Sequence, residues 1–243
     1  MNIILLLKQL TPPIIWRHLK KLKKKQKYFA LNSLDQKLEK YLNYNNGYFV
    51  ELGANDGISQ SNTFYYEKNK NWNGILIEPI LHKYIECKKK RSNKNKYFCN
   101  ACVSFEHDKE FVKLLYSNLM TVPTNLQSDI HDKFAHANHS NTIREDQEEV
   151  IEFFAKAKTL NSILIECDAP KKIDLLSVDV EGAEIEVIKG INFESYKFKY
   201  ILIESRNIQP ISELLNQKSY KLIQKMTHHD YLFGLNDKKF VSE

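Results

Sequence analysis

Glycine, proline and cysteine are scarce in this chain of 243 residues, which contains seven, six and four of them respectively. The scarcity of glycine and proline leaves no clear interdomain linker and no low-complexity tract apart from a lysine run. Four cysteines do not make a disulfide framework in a chain of this length, so we expect free thiols in a reducing cytosol. The length and the 42% of apolar residues suit one globular α/β domain with peripheral additions, or at most two small domains.

A second pair of closely spaced cysteines is also missing. Cys99 and Cys102 form a lone C-x-x-C motif inside an apolar, strand-like run. Structural zinc sites with this spacing usually draw on a second pair of ligands. We therefore interpret both residues as buried thiols and keep a zinc or redox site as the alternative.

Acidic residues and long hydrophobic runs are absent from the first 30 residues, which hold eight lysines or arginines. The apolar run over residues 3–7 is too short to cross a bilayer, and no signal-peptide cleavage site follows it, so we expect no signal peptide. The remaining residues carry 28 basic and 30 acidic side chains and are close to neutral. We therefore expect no nucleic-acid partner.

An apolar stripe at helical spacing runs through residues 14–29, with lysines on the opposite side. The stripe consists of Ile15, Leu19, Leu22 and Phe29. We predict that residues 1–46 form a basic, amphipathic helical extension. Its helix either packs on the domain or rests on an anionic membrane surface or a partner protein, and a flexible tail is the third interpretation. The protein is expected in the cytoplasm, and the second interpretation would place it at the inner membrane face.

Short apolar runs alternate with helical patterns over residues 47–243, which we predict to be one domain. Strands are predicted over residues 47–52, 73–79, 96–105, 173–182 and 199–205. Helices are predicted over residues 59–69, 81–91 and 183–190, and a final hairpin pairs residues 220–226 with 230–235. The repetition of strand and helix, with apolar strands, indicates a mostly parallel sheet that helices cover on both faces.

The stretch over residues 106–150 breaks this alternation, because it is polar and rich in histidine. We predict a partly helical insertion that lies over one edge of the sheet as a lid. The spacing of His131, His136 and His139 is too loose to indicate a metal site, and we expect lid residues that contact a substrate.

Two of the seven glycines, Gly53 and Gly57, lie in the turn "VELGANDG" between the first predicted strand and the first helix. Glycine lets a ligand approach the main chain closely, and ligands of open α/β sheets lie at the carboxyl ends of the strands. The turn does not match the dinucleotide fingerprint G-x-G-x-x-G, because Asn55 and Ile58 occupy the other glycine positions. A plain tight turn is the alternative that needs no ligand.

Polar residues near this turn indicate a ligand with a carboxylate, an amine and a ribose. The turn amides can bind the carboxylate, Glu51 can face the amine, and Glu78 at the end of the second strand can bind both ribose hydroxyls. Asn100 can reach an adenine edge, and residues 61–63, which cap the first helix, can also contact the ligand. This ligand is S-adenosylmethionine. The predicted cofactor-binding residues are Glu51, Gly53, Ala54, Asn55, Gly57, Asn62, Glu78 and Asn100.

Two segments, "FVELGANDGISQSNTFYYEKNKNWNGILIEP" and "IDLLSVDVEGAEIEVIKGI", together closely resemble the FkbM family of S-adenosylmethionine-dependent methyltransferases. The resemblance extends over residues 47–235. It implies a class I methyltransferase fold, with seven strands of which the last is antiparallel. It also implies cofactor contacts at Glu51, Gly53, Asn55, Gly57 and Glu78. The segment "TPPIIWRHLKKL" resembles the N-terminus of bacterial members linked to surface-polysaccharide synthesis.

Three carboxylates are predicted to converge at the ends of the fourth and fifth strands, beside the methyl group of S-adenosylmethionine. They belong to Asp179, Glu181 and Glu204. One can remove the proton of an acceptor hydroxyl, or the three can hold Mg²⁺, which would bind vicinal sugar hydroxyls and acidify one. The structural alternative for Glu181 is a carboxylate that satisfies free amides at a helix N-terminus. His228 and His229, in the turn of the final hairpin, are further candidates for the base.

The leading functional prediction is an O-methyltransferase that acts on a sugar hydroxyl, free, nucleotide-linked or lipid-linked, in glycan synthesis. One alternative is methylation of another small molecule, such as a polyketide hydroxyl or an amine. The other is an interaction module that keeps the fold without catalysis.

Overall fold

A computed structural model of the protein describes residues 27–117, 120–126, 128, 130, 132–137 and 150–236. Residues 14–26 of the predicted amphipathic helix lie outside these ranges, and so do His131 and His139. Within the described ranges, no helix combines the length and the apolar character that crossing a membrane requires.

The strands of the described chain form two sheets. In chain order they are β1 (Tyr48–Leu52), β2 (Asn73–Ile77), β3 (Lys96–Phe98), β4 (Ala101–Val103), β5 (Phe111–Tyr116), β6 (Val122–Pro123), β7 (Ile151–Thr159), β8 (Lys172–Val178), β9 (Lys197–Glu204), β10 (Tyr220–Lys225) and β11 (Asp230–Leu235). The helices are α1 (Leu34–Leu38), α2 (Phe64–Lys70), α3 (Leu81–Lys90), α4 (Leu160–Glu166), α5 (Glu184–Lys189) and α6 (Ile208–Gln217). A 3₁₀ turn over Leu31–Ser33 leads into α1, and residues 133–137 form a short helical turn.

The central sheet has seven strands in the order β10-β11-β9-β8-β1-β2-β3. Strands β3, β2, β1, β8 and β9 run parallel, and β11 pairs antiparallel with both β9 and β10. The predicted mixed α/β fold with a seven-stranded sheet is confirmed, and it fits a Rossmann-like methyltransferase. The carboxyl ends of β1, β2, β8 and β9 therefore lie along one edge of the sheet, where ligands bind in open α/β folds.

Both faces of the central sheet are buried, because alternate residues of each strand point to opposite sides. Val50 and Leu176 belong to one hydrophobic cluster, which includes side chains of α4, α5 and α6. Phe49 and Leu175 belong to the other, which includes side chains of α1 and α2. Burial on both faces explains why apolar residues predominate in strands such as β1 and β2.

The segment before β1 packs on the same core. Leu34 and Leu38 of α1, together with Leu42, are almost fully buried and share a hydrophobic cluster with Phe49 of β1. Residues 34–42 thus contribute to the packing of the sheet, although the sequence assigned them to the N-terminal extension.

The second sheet has the strand order β4-β7-β5-β6. The prediction of a single strand over residues 96–105 was wrong, because the chain passes from the central sheet to the second sheet between Phe98 and Ala101. Asn100, at this crossing, donates from Nδ2 to the backbone O of Lys156 in β7 (3.0 Å) and so is tied to the second sheet. Most of the secondary structure described within residues 106–150 is strand, and the helical turn over residues 133–137 is its helical part.

Candidate active site

The turn after β1 requires glycine at position 53. Gly53 has a φ angle of 76°, and a Cβ atom there would lie 1.9 Å from the backbone O of Asp179. Asp179 follows β8, which pairs with β1, and its backbone N donates to the backbone O of Leu52 (3.3 Å). The missing side chain at Gly53 therefore allows the ends of β1 and β8 to approach, and this brings Asp179 to the turn.

The backbone amides of this turn are bonded within the protein. The N–H groups of Gly53 and Ala54 both donate to the backbone O of Ile77 (3.1 Å each), and Gly57 N donates to Ala54 O (2.8 Å). Asn55 N donates to Glu78 Oε2 (2.7 Å). Contrary to the prediction, these donors are already engaged and do not await a ligand carboxylate. Their effect is to fix the turn against β2.

Glu78 follows β2 and is buried, with 4% of its surface exposed. Its Oε1 accepts from Ile80 N (2.9 Å) and its Oε2 accepts from Asn55 N. Burial raises the pKa of Glu78 to about 7, and the two amide donors only partly oppose this rise. Each carboxylate oxygen has a second lone pair, so Glu78 can still accept two hydroxyl donors from a ligand.

Glu78, Gly53 and Asn55 line a cavity between the two sheets, which we call the first cavity. Asn55 Oδ1 is buried without a hydrogen-bond partner among the described residues, so it can accept a donor from a ligand in this cavity. Asn100, which was predicted to contact the cofactor, also lines the cavity, beside the free thiol of Cys102. Apolar lining comes from Ile77, Ile80, Val112, Leu114, Pro123 and Leu126.

The carboxylate of Glu51, which was predicted to face a cofactor amine, is buried and bonded to protein donors. It accepts from the hydroxyl of Ser61 (3.0 Å), from Asn62 N (2.9 Å) and from the hydroxyl of Thr63 (2.5 Å). Glu51 lines neither of the two cavities of the site. Its observed role is to hold the segment over residues 61–63 at the start of α2.

Ala54 and Gly57 were also predicted to bind the cofactor, and neither lines a cavity of the site. Ala54 is buried in the hydrophobic cluster with α1 and α2. Gly57 packs on α3, where an added Cβ would lie 2.8 Å from side-chain atoms of both Arg91 and Cys87. These two small residues allow close packing beneath the turn, and their contact with a cofactor stays a prediction.

Arg91 was not predicted as a functional residue, since the sequence indicated only that it ends a helix over residues 81–91. Its side chain is fully buried, and Nε donates to Glu67 Oε2 (2.8 Å) while Nη1 lies 3.4 Å from Glu51 Oε2. Nη1 also donates to the backbone O of Gly57 (2.9 Å). One guanidinium group therefore links the strand end, the turn and α2, and a buried cation of this kind needs such partners.

A second cavity lies on the other side of Asp179 and Glu181, and these two residues line both cavities. Most of the residues that line it are polar, whereas most of the residues that line the first cavity are apolar. Asn62, predicted as a cofactor residue, lines this second cavity, where its Oδ1 is buried without a partner among the described residues. The other polar residues around it are Gln60, Glu204, Arg206, Thr227, His228, His229 and Asp230.

The carboxyl groups of Asp179 and Glu204 form a pair at the second cavity, because Asp179 follows β8 and Glu204 ends the adjacent strand β9. Removal from solvent and the negative charge of Glu204 hold the pKa of Asp179 well above its usual value. The pKa of Glu204 is also raised, by removal from solvent and by Glu181. Two close carboxyl groups cannot both ionise cheaply, so this arrangement disfavours the loss of the second proton.

Glu181 separates the two cavities in a left-handed conformation, with a φ angle of 50°. Its Oε2 lies 2.9 Å from Nε2 of His136, which belongs to the predicted insertion, and accepts from Nη2 of Arg206 (3.2 Å). Neither partner was predicted, because the chain brings them from residues 45 positions before and 25 positions after Glu181. A non-glycine residue held in this conformation often marks a functional site.

The predicted Mg²⁺ site at Asp179, Glu181 and Glu204 is not supported. No group of three His, Cys, Asp or Glu side chains among the described residues is arranged to hold a metal ion. The physical reason is that Glu181 is bound by His136 and Arg206.

His228 and His229 lie in the turn between β10 and β11 and line the second cavity, on the side of the sheet predicted for them. Nδ1 of His228 lies 3.1 Å from Nε2 of His229. Partial burial and the neighbouring His228 lower the pKa of His229, which favours a neutral ring at neutral pH. His229 thus has the protonation state that a general base requires.

Comparison with known proteins agrees with this arrangement. The family model of the methyltransferase FkbM domain matches residues 51–233, which is more than half of the chain. The match begins at the end of β1 and ends in β11, so it spans the whole edge of the sheet described above. None of the curated proteins matches the chain.

Proposed function

The chain belongs to the FkbM methyltransferase family, and on this premise we propose that it transfers the methyl group of S-adenosylmethionine to a sugar hydroxyl. The observation that carries the proposal is the pair of adjoining cavities with a common wall at Asp179 and Glu181. The first cavity combines an apolar lining with a few polar groups, which suits a nucleoside. The second is lined by carboxyl, amide and imidazole groups, which suit a molecule with several hydroxyls.

Residues of the first cavity fit S-adenosylmethionine. Glu78 would accept the two ribose hydroxyls, Asn55 Oδ1 would accept a further donor, and Asn100 would lie beside the base. The strand order and the antiparallel last strand support a class I methyltransferase. When bound, the cofactor supplies a methyl group on a positively charged sulfur.

Residues of the second cavity would bind and orient the acceptor. Asn62 and Asp230 offer hydrogen-bond acceptors to its hydroxyls, and Arg206 offers donors. Alignment of the hydroxyl oxygen with the methyl group and removal of its proton are the protein's main tasks in methyl transfer. His229 and the Asp179–Glu204 pair are the two groups of this cavity that can take the proton. In the cell we propose a cytoplasmic role in glycan synthesis, with residues 14–29 as the contact to the inner membrane face or a partner.

Methyl-labelled S-adenosylmethionine offered with a panel of acceptors tests this function. The panel should contain free sugars, nucleotide sugars and lipid-linked sugars, with amines and phenols for comparison. We expect label on a sugar hydroxyl, strongly reduced in Asp179→Asn and unchanged in Glu166→Gln, whose side chain is exposed and bonded to Lys158. Label on amines or phenols alone would contradict the sugar acceptor. A folded protein that binds cofactor and labels nothing would favour the interaction module.

The pH dependence of cofactor binding provides a second prediction. Glu78 must be ionised to accept both ribose hydroxyls, and its pKa of about 7 leaves it mostly protonated at pH 6. Because the bound state then has to release that proton, the affinity for S-adenosylhomocysteine should fall about tenfold from pH 8 to pH 6. Calorimetric titration at several pH values measures this. Glu78→Gln should show a weaker affinity with a flatter pH profile, and an identical profile in both proteins would contradict the role of Glu78.

A further inference from the structure

We propose that the carboxyl pair of Asp179 and Glu204 is the catalytic proton acceptor and that the charge of the bound cofactor controls it. In the free protein the pair shares one proton. When S-adenosylmethionine binds, its positively charged sulfur causes the pair to release this proton. When the methyl group is transferred, the sulfur loses its charge and the pair takes up the proton of the acceptor hydroxyl. This inference rests on the proposed function and deepens it, because it names the base and the event that sets its protonation.

The sheet places the two carboxyl groups side by side. Strands β8 and β9 are parallel neighbours, and Val178 pairs with Ile203 in the last register position. Asp179 and Glu204 follow that position on adjacent strands, and the charge of Glu204 raises the pKa of Asp179. Both line the second cavity, and Asp179 also lines the first. The pair therefore stands where a methyl group would pass from one cavity to the other.

The charges that face the pair come mainly from acidic groups. Glu181 and Glu184 raise the pKa of Asp179. Glu181 and Asp230 raise that of Glu204, and Arg206 lowers it. Asp230 is the direct cross-strand partner of Glu204 in the β9–β11 pair. The imidazoles of His228 and His229 line the same cavity, and the lowered pKa of His229 keeps its ring mostly neutral at pH 7. These negative charges favour a proton on the carboxyl pair in the free protein. They also favour a positively charged ligand group beside the pair, which can replace that proton.

An independent feature of the second cavity points to a ligand there. Asn62 is 8% exposed, and its Nδ2 donates to the hydroxyl of Ser177 (3.1 Å), which fixes the amide group. Its Oδ1 is left without a hydrogen-bond partner among the described residues. A buried amide oxygen in this state needs an N–H or O–H donor, and a ligand in the cavity that Asn62 lines can supply one.

The bonds and charges balance in this scheme. A lone pair of the acceptor oxygen forms the new O–C bond, the C–S bonding pair goes to sulfur, and the hydroxyl proton goes to the carboxyl pair. The sulfur loses its positive charge in the same event, so the field that had kept the pair deprotonated disappears. The pair then regains the protonation state that it has in the free protein, and the cycle needs no other base.

Calorimetric titration with S-adenosylmethionine and S-adenosylhomocysteine, in buffers of different ionisation enthalpy, tests the inference without turnover. The two ligands share the ribose and amino-acid parts, so any proton that Glu78 releases cancels in their difference. At pH 7 we expect the charged ligand to release up to about one proton more than the neutral ligand. Sinefungin, which carries an amine in place of the methylated sulfur, should behave like the charged ligand.

Two variants identify the source of that proton. Glu204→Gln and Asp179→Asn should each bind S-adenosylhomocysteine within about threefold of the unaltered protein and lose the difference in proton release. Equal proton release by both ligands in the unaltered protein, or an unchanged difference in both variants, would overturn the inference. Failure of either ligand to bind would instead contradict the proposed function, so the two failures are distinguishable.

Discussion

Replacing Glu78 with alanine is expected to weaken the binding of S-adenosylmethionine and S-adenosylhomocysteine by about 100-fold or more. The carboxylate is the buried acceptor that follows β2, and two hydroxyl donors of a ribose would bind it with charge-assisted hydrogen bonds. Hydrogen bonds to a charged group contribute about 1.5–3 kcal/mol each, so the loss of two corresponds to at least two powers of ten. Calorimetric titration of both proteins at pH 8, where Glu78 is mostly ionised, measures the change.

Glu86→Ala is the matched control for this change. Glu86 lies on α3, close in sequence, but its side chain is half exposed and pairs with Lys90 on the surface. We expect the affinity of Glu86→Ala for both ligands to match that of the unaltered protein, because surface ion pairs of this kind contribute little to stability. Glu78→Ala also removes the acceptor of Asn55 N and Ile80 N, so its near-UV circular dichroism and its melting temperature must be recorded. A folded Glu78→Ala protein with unaltered affinity would rule out the first cavity as the ribose site.

The central sheet could be predicted from the sequence because its strands are buried on both faces. Residues 48–52 and 172–178 are mainly apolar and are buried over most of their length, which is the pattern of parallel strands in an α/β protein. Strand β7 was missed because it has one exposed face, and its residues Glu152, Lys156 and Lys158 interrupt the apolar pattern. The alternation of alanine and lysine over residues 155–158 was the available signal.

The helix α6 was also absent from the prediction, although its sequence contains a recognisable pattern. Ile211 and Leu215 are buried and lie four residues apart, which is the spacing of one helical face. The break at Asn100 was harder to foresee, because Tyr97, Phe98, Ala101 and Cys102 continue the same apolar run on both sides of it. Only the pairing of β4 with β7 separates the two halves, and that contact joins residues more than 50 positions apart.

The sequence predicted that site residues at strand ends lie at one edge of the sheet, because parallel topology alone brings them there. Glu78, Asp179 and Glu204 are examples, and each of them lines a cavity at that edge. The sequence did not show which carboxylates were already satisfied by protein donors. Glu51 occupies an equivalent strand end, yet its carboxylate is bound by the hydroxyls of Ser61 and Thr63 and by the guanidinium of Arg91. A carboxylate becomes available to a ligand only when the fold leaves its lone pairs unused, and long-range contacts decide this.

Replacing Arg91 with alanine is expected to lower the free energy of unfolding by about 3–5 kcal/mol, because it leaves two buried carboxylates, Glu51 and Glu67, without their cation. In a chain of this size such a loss corresponds to a fall of about 10 °C or more in melting temperature. The adjacent Lys90→Ala is the control, since Lys90 is partly exposed and pairs with Asp56 and Glu86 at the surface. The free energy of unfolding of Lys90→Ala should fall by less than about 1 kcal/mol. Thermal and urea unfolding of both variants measure the difference.

The lower free energy of unfolding of Arg91→Ala should come from unpaired buried charge. A second substitution distinguishes this cause from a simple loss of packing. Adding Glu67→Gln to Arg91→Ala removes one of the two uncompensated carboxylates, so the double variant should be more stable than Arg91→Ala alone. If packing were the whole cause, Glu67→Gln would restore nothing. Arg91→Lys keeps the charge but cannot donate to Glu67 and to Gly57 O from one planar group, so an intermediate stability is expected. Because Gly57 belongs to the turn that positions Asn55 and Glu78, cofactor affinity should fall in the same order as stability.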